Sequence, residues 1–547
     1  MKLAHALLQA LKAYGAHEIF GIPGDFALPF FREIEQSRIL PLHTLSHEPA
    51  VGFAADAAAR YHSTLGVAAI TYGAGGLNMV NAVAQAYAEK SPVVVISGAP
   101  GLAEGHGGLG LHHQVKTLDS QHLIYREVTA AQALLRDATE APAEIARVLA
   151  VAREQSRPVY FEFPRDMVTA ECAPVPAFVR TPHDPEGAKA AAEEIVARIA
   201  SAKRPTLLLG VEVRRYGLEA EVAKLARRLA IPVATTFMAR GILADETVPL
   251  AGTYLGLAGD DHVRSVVEGS DCLVMLGAIL SDTNFAVSQR MIDRRNAIHA
   301  FDREVRFGHH LYPNVPLAAL IGALLKAPAP PEKKSRAKPK PAAAPSRRRF
   351  AADAKPIAPL DIAQAVNDLM DKTGERFPIA ADMGDCLFTA MDMTYTELVA
   401  PAYYATMGPG VPMGIGLEVA SGRRPLILVG DGAFQMTGWE LGNCRRLGLK
   451  PIVLVFNNRA WGMLKVFQGD TSYNDLDDWR FAELAGVLGG KGQRVTTRRE
   501  LADALAAAQA DKNNWHLIEI MMPRDVYSPT LSRFVAAVKR MSVLGKG

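Results

Sequence analysis

Residues 425–461 constrain the fold more than any other stretch, because their pattern is that of one complete βαβ unit. Residues 426–429 and 452–456 are apolar runs without period-two alternation, which predicts two buried strands of a parallel sheet. Residues 434–447 lie between them and predict the crossover helix. Since almost all such crossovers are right-handed, we expect the two strands to lie side by side in the sheet.

Polar residues follow both predicted strands directly. Asp431 lies between Gly430 and Gly432 after the first strand, and Asn458 follows the second. Parallel strands end at the same sheet edge, where open α/β sheets bind their ligands, so we expect Asp431 and Asn458 to converge there. A carboxylate and an amide oxygen are hard ligands that suit Mg²⁺ or Ca²⁺. The two glycines lack Cβ atoms and would let backbone N–H groups approach a diphosphate closely.

A Gly-Asp-Gly triplet alone is more typical of a simple turn, but its spacing here is specific. The triplet is followed by 24 residues and then by an Asn-Asn pair. This arrangement resembles the coenzyme-binding motif of the thiamine diphosphate-dependent enzymes. The resemblance implies that Asp431, Asn458 and the backbone carbonyl of Ala460 bind Mg²⁺. It also implies coenzyme contacts from Gly432 and Ala433.

The length of 547 residues exceeds what one hydrophobic core accommodates. Three blocks alternate helical patterns with buried strand runs, so we predict an α/β chain of three doubly wound, mainly parallel-sheet domains. We place a pyrimidine-binding domain at residues 1–172, a middle Rossmann-like domain at 186–325 and a diphosphate- and Mg²⁺-binding domain at 355–547. Residues 326–354 form the predicted linker.

The predicted linker carries most of the positive charge of a chain whose net charge is +3. Residues 326–349 contain nine Lys or Arg and one Glu, so the rest of the chain is acidic overall. Their Pro- and Ala-rich composition predicts an extended, solvated segment. Because aromatic residues are not interleaved with the charges, we do not expect this segment to bind nucleic acid or a membrane surface.

The sequence also argues against other classes of protein. The four cysteines show no CxxC spacing, which argues against a disulfide framework or a zinc site. No G-x-G-x-x-G follows a strand of the middle block, which argues against a nicotinamide oxidoreductase. The N-terminal segment carries charges within a helical pattern, unlike a signal peptide, and no run reaches about 18 apolar residues. We therefore expect a cytoplasmic protein without a membrane span.

Glu48 lies at the start of an alanine-rich helical pattern in the first block. Taken alone, it is a first-turn carboxylate that favours the helix dipole. The surrounding run, SHEPAVGFAADAAARYH, resembles the pyrimidine-binding domain of the 2-oxo acid decarboxylases and acetohydroxyacid synthases. In that family such a carboxyl lies in an apolar slot and shares a proton with N1′ of the coenzyme pyrimidine. The resemblance therefore implies a catalytic role for Glu48.

Three more coenzyme contacts are implied by the resemblance. Met407, in a Gly- and Pro-rich turn, is expected to be the apolar wedge that keeps the coenzyme bent, although a lone Met usually packs in a core. The carbonyl of Ala405 is expected to accept a hydrogen bond from the 4′-amino group. Asp385, which follows a predicted strand, is expected near the diphosphate.

An acid and histidine set distinguishes the decarboxylases within the family. Asp25 lies at a strand-to-loop boundary, and His112 and His113 lie in a Gly-rich loop. Their match to the decarboxylase pattern implies the proton transfers that follow loss of CO₂. Acetohydroxyacid synthases lack the His-His pair, so we expect decarboxylation. Leu464 replaces a Glu that pyruvate decarboxylases carry after the Asn pair. Either Asp282, Asp25 and the two histidines suffice for catalysis, or the rate on small substrates is poor.

The Leu464 pattern resembles the phenylpyruvate and indolepyruvate decarboxylase branch of the family. Pyruvate-specific relatives carry bulky aromatic residues where this chain has Leu387 and Thr283, so an aryl group has room. Burying such a ring is worth roughly 2 to 3 kcal/mol. Met463 and Leu464 complete the predicted pocket. Thr71 either hydrogen-bonds the substrate or is an ordinary β-branched strand residue.

These features predict the decarboxylation of phenylpyruvate or indole-3-pyruvate to the aldehyde and CO₂ through a thiamine diphosphate ylide and enamine. Two alternatives stay open. The first is a carboligase of the acetohydroxyacid synthase type or an oxidase, and the second is a cofactor-binding protein with little catalysis. The family builds each active site from the first block of one subunit and the last block of another. We therefore expect a homodimer or homotetramer with active sites at its interfaces.

Overall fold

Three mainly parallel sheets flanked by helices form the framework of the chain in this computed structural model. The structure describes residues 1–104, 110–244, 246–248, 250–285, 292, 295–330, 350–469 and 471–544. The architecture confirms the predicted α/β fold. The predicted domain boundaries stay a prediction, and residues 331–349 of the predicted basic linker lie outside the described residues.

The first sheet contains β1 (Ile19–Gly21), β2 (Leu42–Thr44), β3 (Gly66–Ile70), β4 (Val93–Ala99), β5 (Ala131–Leu134) and β6 (Val159–Pro164). Its strand order is β2-β1-β3-β4-β6-β5, and every pairing is parallel. All residues of β3, β4 and β6 are buried. Continuous apolar runs produce this pattern because a parallel sheet is covered on both faces.

The second sheet contains β7 (Pro205–Leu209), β8 (Val233–Thr236), β9 (Leu250–Tyr254), β10 (Cys272–Leu276), β11 (Ala297–Phe301), β12 (Glu304–Phe307) and β13 (His310–Tyr312). Its order is β13-β12-β11-β10-β7-β8-β9. The sheet is mixed, since β12 is antiparallel to both β11 and β13. The hairpin between β11 and β12 turns at Asp302 and Arg303, both with positive φ, as a two-residue turn that follows the strand twist requires.

The third sheet contains β14 (Ile379–Ala381), β15 (Leu398–Val399), β16 (Leu426–Gly430), β17 (Ile452–Asn457), β18 (Lys491–Val495) and β19 (His516–Met521). Its order is β15-β14-β16-β17-β19-β18, with parallel pairing throughout. The two strands predicted from the apolar runs, β16 and β17, are neighbours, as expected.

The helices number α1 to α22 along the described chain. They are α1 (Leu3–Ala13), α2 (Leu28–Ser37), α3 (Glu48–His62), α4 (Ala74–Asn78), α5 (Val80–Ala88), α6 (Ser120–Arg126), α7 (Ala141–Gln155), α8 (Pro185–Ser201), α9 (Glu212–Arg215), α10 (Glu219–Leu229), α11 (Asp261–Glu268), α12 (Asp282–Phe285), α13 (Leu317–Lys326), α14 (Pro359–Thr373), α15 (Asp385–Ala390), α16 (Gly410–Ser421), α17 (Asp431–Thr437), α18 (Cys444–Leu447), α19 (Gly462–Gln468), α20 (Phe481–Val487), α21 (Arg498–Ala510) and α22 (Pro529–Leu544).

The crossover between β16 and β17 differs from the single helix predicted over residues 434–447. It begins three residues earlier with α17, continues as a 3₁₀ helix over Gly438–Asn443 and ends with α18. Gly438 and Gly442 lie in the 3₁₀ segment, and glycine lowers α-helix propensity by about 1 kcal/mol relative to alanine. The periodic pattern therefore located the crossover but did not reveal its interruption.

The chain divides into two compact units. Unit 1 comprises Met1–Thr181, Tyr404–Pro425 and Gln435–Pro451, so it holds the first sheet together with two C-terminal segments. Within it, α16 packs closely on α3, because a Cβ atom added at Gly416 would lie 2.2 Å from the carbonyl oxygen of Ala54. The hydrophobic core of unit 1 lies between the first sheet and its helices α1, α2 and α7.

Unit 2 comprises Pro182–Tyr403, Leu426–Phe434 and Ile452–Gly547, and it holds the second and third sheets. One core surrounds the third sheet and another surrounds the second. Among the described residues, none of the helices combines the length and the apolar character that crossing a membrane requires.

Candidate active site

Three polar residues follow neighbouring strands of the third sheet in unit 2. Asp385 comes shortly after β14, Asp431 directly follows β16 and Asn458 directly follows β17. Because β16 pairs in parallel with both β14 and β17, the three residues lie along one carboxyl edge. Within unit 2, the structure thus places Asp385, Asp431 and Asn458 along one edge of the third sheet.

Hydrogen bonds join Asp431 to the segment that contains Asn458. One carboxylate oxygen of Asp431 accepts from the N–H of Gly432 at 2.9 Å, and the other accepts from the N–H of Arg459 at 2.6 Å. The amide oxygen of Asn458 accepts from the N–H of Ala460 at 3.1 Å. Burial raises the pKa of Asp431 to about 6, against the opposing effect of the N–H donors. The carboxylate is therefore mostly ionised at neutral pH and available to a cation.

The donor set at this edge fits Mg²⁺ bound together with an anionic ligand. Asp431, Asn458 and the Ala460 carbonyl offer only oxygen atoms, which Mg²⁺ prefers. The Ala460 carbonyl accepts one hydrogen bond, from the N–H of Gly462 at 2.7 Å, and retains a second lone pair. In the described part of the chain, no group of three or more His, Cys, Asp or Glu side chains is arranged to hold a metal ion. A cation bound here therefore needs further oxygen ligands, such as those of a diphosphate.

The two asparagines after β17 have different surroundings. Asn457 is buried, donates to the carboxylate of Glu519 at 2.7 Å and accepts from the N–H of Arg459 at 3.1 Å. Asn458 is only half-buried. The first asparagine anchors the end of the strand, and the second remains accessible to a ligand. The spacing in the sequence identified the pair but did not distinguish these two roles.

The two glycines around Asp431 have different surroundings. A Cβ atom added at Gly432 would lie 2.1 Å from the ring of Trp461, so packing against this ring explains the glycine. A Cβ atom at Gly430 would meet no described atom within 4 Å. Ala433 follows in α17 and is buried. Its predicted coenzyme contact, like that of Gly432, stays a prediction.

Asp385 begins α15 and is held at one oxygen only. Its Oδ2 atom accepts from the N–H of Ser528 at 2.8 Å. Its Oδ1 atom is buried and has no hydrogen-bond partner among the described residues. Burial raises the pKa of this carboxyl to about 6, although the Ser528 donors oppose the rise. A buried oxygen without a partner carries a free-energy penalty that a hydrogen-bond donor or a cation relieves. The predicted position of Asp385 near a diphosphate stays a prediction.

Glu48 is the first residue of α3 in unit 1 and is half-buried. Its Oε2 atom accepts from the side-chain amide of Asn78 at 2.8 Å. A Cβ atom added at Gly75 would lie 3.2 Å from its Oε1 atom. The Glu48 carboxylate is therefore surrounded by a polar donor, the side-chain amide of Asn78, as well as by Gly75. The resemblance implied only an apolar slot.

Glu440 binds the backbone at Ser46, two residues before Glu48. The sequence analysis did not predict this contact. The carboxylate of Glu440 accepts from the N–H of Ser46, at 3.0 Å to one oxygen and 3.2 Å to the other. The side-chain amide of Asn443 donates to the Ser46 hydroxyl at 2.9 Å and to Glu440 at 2.8 Å. The two residues are almost 400 positions from Ser46, so no local pattern signals the contact.

Asp25, His112 and His113 are brought together in unit 1, as predicted. Asp25 and the Nε2 atom of His112 form an ion pair, and the His112 ring stacks on Phe26 at 4.7 Å between centroids. The Nδ1 atom of His113 lies 3.1 Å from the Tyr72 carbonyl, consistent with donation to it. Burial acts to raise the pKa of Asp25, but the His112 bond and the Phe26 N–H outweigh it, and the pKa is lowered. Carboxyl and imidazole groups brought together in this way can exchange protons with a bound ligand.

Thr71 lies between this cluster and Glu48. It follows β3 and is 8% exposed, yet its hydroxyl has no hydrogen-bond partner among the described residues. Its methyl carbon lies 3.0 Å from the place of a Cβ atom on Gly75, which also borders Glu48. A buried hydroxyl without a partner favours the ligand-binding interpretation over that of an ordinary strand residue.

The segment that contains Ala405 and Met407 belongs to unit 1, as does Glu48. Ala405 has a φ of +61°, which an alanine adopts only when its surroundings enforce it. The N–H of Tyr404 donates to the Glu89 carboxylate at 3.0 Å, and Glu89 also pairs with the buried Arg60 of α3 at 2.8 Å. This chain of bonds links the segment to the helix that begins with Glu48. Met407 is 36% exposed, so its side chain does not pack in a core.

Asp282 and Thr283 begin α12 beside the second sheet. Asp282 is exposed, and its carboxylate accepts from the N–H of Thr283 at 2.8 Å. The Thr283 hydroxyl lies 3.1 Å from that of Ser281. Among the described contacts, neither residue touches another predicted catalytic residue. Their catalytic and substrate roles stay predictions.

The predicted pocket residues of unit 2 have unequal exposure. Leu387 is fully buried in the core around the third sheet, because the apolar face of α15 packs there. Its predicted contact with the substrate stays a prediction. Met463 packs partly against the same core, whereas Leu464, its neighbour on α19, is 54% exposed. The predicted substrate contacts of Met463 and Leu464 stay predictions.

Comparison with known protein families gives three matches along the chain. Residues 1–123 match the thiamine pyrophosphate enzyme N-terminal TPP binding domain, 192–327 match the central domain, and 382–520 match the C-terminal TPP binding domain. Thiamine pyrophosphate is another name for thiamine diphosphate.

Individual relatives agree over nearly the whole length. The chain is 62% identical over 542 residues to an indole-3-pyruvate decarboxylase of Azospirillum brasilense, and the match covers 99% of each chain. It is 30% identical to an alpha-keto-acid decarboxylase of Mycobacterium ulcerans, over 97% of this chain and 95% of the relative. A further alpha-keto-acid decarboxylase, of Mycolicibacterium paratuberculosis, is also 30% identical, over 95% and 93% respectively.

Proposed function

The chain belongs to the thiamine diphosphate-dependent 2-oxo acid decarboxylases, and on this premise we propose that it converts an aryl 2-oxo acid to the aldehyde and CO₂. Indole-3-pyruvate and phenylpyruvate are the proposed substrates. The observation that carries this proposal is the 62% identity, over 99% of the chain, to a protein named as an indole-3-pyruvate decarboxylase. The acid and histidine cluster in unit 1 supports the same reaction, because decarboxylation requires a proton to replace the lost CO₂.

The residues of unit 2 are proposed to hold the metal and the diphosphate. When bound, thiamine diphosphate supplies an electron sink for the negative charge that departing CO₂ leaves behind. Asp431, Asn458 and the Ala460 carbonyl would hold Mg²⁺, and Gly432 and Ala433 would contact the diphosphate. The all-oxygen donor set and the ionised carboxylate of Asp431 support this assignment. Asp385 is proposed to lie near the same group, since it follows β14 at the same carboxyl edge of the sheet.

The residues of unit 1 are proposed to act on protons. Glu48 would share a proton with the pyrimidine ring, while Asn78 keeps its carboxylate in place. Met407 and the Ala405 carbonyl would fix the bent shape of the coenzyme. His112 and His113 would deliver and remove protons at the substrate carbon and hydroxyl, and Asp25 would orient His112.

The substrate is proposed to contact Thr71, Thr283, Leu387, Met463 and Leu464. The unpartnered hydroxyl of Thr71 supports hydrogen bonding to the substrate. The exposure of Leu464 supports space for an aromatic ring beside α19. Leu387 would contact a ring only if the core around α15 opens, so it is the weakest member of this set. Asp282 would assist the proton transfers in place of the missing Glu.

We further propose that the protein forms a homodimer or homotetramer in which each coenzyme contacts Glu48 of one subunit and Asp431 of another. Large apolar side chains exposed in unit 1 support association through this region. They are Tyr404, Met407, Met436 and Trp439, each between 36% and 47% exposed. Such side chains are commonly buried when subunits associate. Analytical ultracentrifugation at several protein concentrations tests this proposal, and a monomer at every concentration contradicts it.

A substrate panel tests the proposed reaction. Purified protein with Mg²⁺ and thiamine diphosphate is given phenylpyruvate, indole-3-pyruvate, benzoylformate or pyruvate, and aldehyde is measured with a coupled dehydrogenase. We expect the two arylpyruvates to give the largest kcat/KM. Acetolactate from pyruvate would instead show a carboligase, and coenzyme binding without product would show a protein with little catalysis. An Asp431→Asn variant, measured in parallel, controls for aldehyde formed by contaminating enzymes.

A further inference from the structure

A glycine turn over residues 73–76 in unit 1 lies among the candidate catalytic groups. Gly73 has a φ of +68°, and a Cβ atom added there would lie 2.2 Å from the carbonyl oxygen of His113. A Cβ atom at Gly75 would lie 3.2 Å from Glu48. The backbone of this turn therefore borders Glu48 on one side and His113 on another, with no room for a side chain at Gly73. Any shift of the turn displaces the groups packed on it.

The side chain of Gln121 holds the first residue of the glycine turn. Gln121 is 1% exposed, and its Oε1 atom accepts from the N–H of Gly73 at 2.6 Å. Its Nε2 atom donates to the hydroxyls of Ser97 at 2.9 Å and Tyr160 at 2.6 Å. Both hydrogens of the amide and one oxygen lone pair are thus used within the buried interior. This side chain has one orientation that satisfies all three partners.

Tyr125 holds the last residue of the same turn. Its hydroxyl donates to the Gly76 carbonyl at 2.7 Å, and the residue is fully buried. Its ring stacks on that of Tyr160 at 4.1 Å between centroids, with an 18° angle between planes. Gln121 and Tyr125 lie four residues apart on α6, so their side chains project from the same face of this helix. Side chains of one helix, α6, therefore form hydrogen bonds with both ends of the glycine turn.

We propose that Gln121 and Tyr125 are positioning residues for the acid–base groups of unit 1. They do not touch the reacting atoms in this assignment. They fix the glycine turn, and the turn fixes the backbone of His113 and the space beside Glu48. This inference rests on the proposed decarboxylase function for its catalytic consequence. Displacing catalytic groups by about 1 Å lowers rates by roughly 100-fold, so a loosened turn affects kcat strongly.

Two substitutions test the proposal with little change in volume. Gln121→Met removes the three hydrogen bonds and keeps an unbranched side chain, and Tyr125→Phe removes only the hydroxyl. We expect kcat for the preferred arylpyruvate to fall roughly 10-fold to 100-fold, while KM changes less, because a positioning defect acts mainly on the chemical step. We also expect the pH profile of kcat to shift, since the environments of His113 and Glu48 change.

Tyr14→Phe is the matched control. The Tyr14 hydroxyl also donates to a backbone carbonyl, that of Pro176 at 3.1 Å, and the residue is 4% exposed in the same unit. We expect this variant to lower the thermal stability about as much as Tyr125→Phe without changing kcat or its pH profile. If Tyr125→Phe and Gln121→Met affect kcat and its pH profile no more than Tyr14→Phe does, the two residues are only structural and the proposal is wrong.

A measurement without substrate separates this proposal from the proposed function. Amide hydrogen exchange, followed by mass spectrometry, reports on peptides that span residues 71–76 and 110–114. We expect faster exchange there in Gln121→Met and Tyr125→Phe but not in Tyr14→Phe. Unchanged exchange in these peptides overturns the positioning role even if the wild type is an active decarboxylase. If the wild-type protein has no decarboxylase activity but the two variants still exchange faster, the positioning role of Gln121 and Tyr125 is upheld and the decarboxylase function is rejected.

Discussion

The proposed metal-binding edge of unit 2 and the proposed acid–base region of unit 1 are assembled in different ways. In unit 2, Asp385, Asp431 and Asn458 follow strands that are neighbours in one sheet, and backbone N–H groups hold the carboxylates. In unit 1, Asp25 and His112 come from distant segments and are held mainly by each other. Sheet topology therefore fixes the first region, whereas side-chain contacts across long sequence separations fix the second.

The two regions also differ in burial. Asp431 is 4% exposed, while the side chains of His112 and Asp25 are 60% and 41% exposed. Burial raises the pKa of Asp431 to about 6, so its carboxylate is ionised at neutral pH at a free-energy cost that a bound cation would offset. The exposed cluster keeps its charges in contact with water. We therefore expect unit 2 to respond to the metal and unit 1 to respond to pH and to local substitutions.

The largest effect is expected from Glu48→Gln, which tests whether unit 1 supplies the chemistry. An amide cannot share a proton as a carboxylate does, so we expect kcat to fall by roughly 100-fold to 10,000-fold. The binding of Mg²⁺ and thiamine diphosphate should change much less, because unit 2 is proposed to bind them. The decarboxylation assay and tryptophan fluorescence measure the two quantities. Glu127→Gln, an exposed position in unit 1, is the control, and full turnover by Glu48→Gln rejects the assignment.

Asp431→Asn addresses the other region and should act on cation binding. Removing the charge of a direct ligand should lower the Mg²⁺ affinity by at least about 100-fold, the upper end of what more remote changes cause. Isothermal titration calorimetry with Mg²⁺ and thiamine diphosphate measures this affinity. Asp503→Asn, at an exposed position of α21, provides the matched control. Retention of wild-type affinity by Asp431→Asn rules out the proposed ligand set.

The raised pKa of Asp431 predicts how the stabilisation of the protein by Mg²⁺ depends on pH. Burial raises the pKa of Asp431 to about 6, so its contribution to the stability of the metal-free protein is lost as pH rises through about 6. Mg²⁺ prefers the ionised form, and its stabilising effect should therefore grow over the same range. We expect the Mg²⁺-dependent rise in Tm to be smaller at about pH 5 than at about pH 7.5. An equal rise at both values contradicts this explanation.

Asp25→Asn is expected to lower kcat by an intermediate amount. It tests whether the exposed pair of Asp25 and His112 differs in its response from the buried Asp431. The lowered pKa of Asp25 reflects its bond with His112, so its contribution to stability is present at neutral pH and is lost on acidification. The neutral amide should lower kcat by about 10-fold and alter its acidic limb, since His112 loses a charged partner. Glu194→Gln is the control, because Glu194 pairs with His310 at 2.8 Å on the surface of unit 2. Equal kinetic effects of the two substitutions would show that loss of a carboxylate–histidine pair is not specific to the site.

Thr71→Val should give the smallest effect and separates ligand binding from stability. The Thr71 hydroxyl has no partner among the described residues, so its removal should leave Tm unchanged or slightly raised and should increase KM a few-fold. Thr206→Val is the matched control, since the buried Thr206 hydroxyl donates to Val266 at 3.0 Å. That variant should lose about 1 kcal/mol of stability and keep its KM. A drop in stability for Thr71→Val with an unchanged KM would favour an ordinary strand role.

The position of Asp431 and Asn458 at one sheet edge was predictable because its determinants are local. The apolar runs before Asp431 and Asn458 specify adjacent parallel strands, and the right-handed crossover then places both residues at one edge. Family resemblance added Glu48, Asp25 and the two histidines, which no periodicity would have connected. The crossover interruption at Gly438 and the antiparallel edge of the second sheet were not predicted, because the hydrophobic pattern does not register the low helix propensity of glycine or a two-residue turn at Asp302 and Arg303.

The amino-acid sequence by itself determined the three α/β blocks, the strand ends that carry Asp431 and Asn458, and the membership of the family. Only the tertiary structure decided that Glu440 holds the backbone ahead of Glu48, that Gln121 grips the glycine turn, and that Leu387 lies in a core. The physical reason is the range of the interactions. Hydrophobic periodicity is a pattern among residues a few positions apart, so the sequence shows it directly. The hydrogen-bond partners of a buried amide or carboxylate can come from any part of the chain, so only the folded structure identifies them.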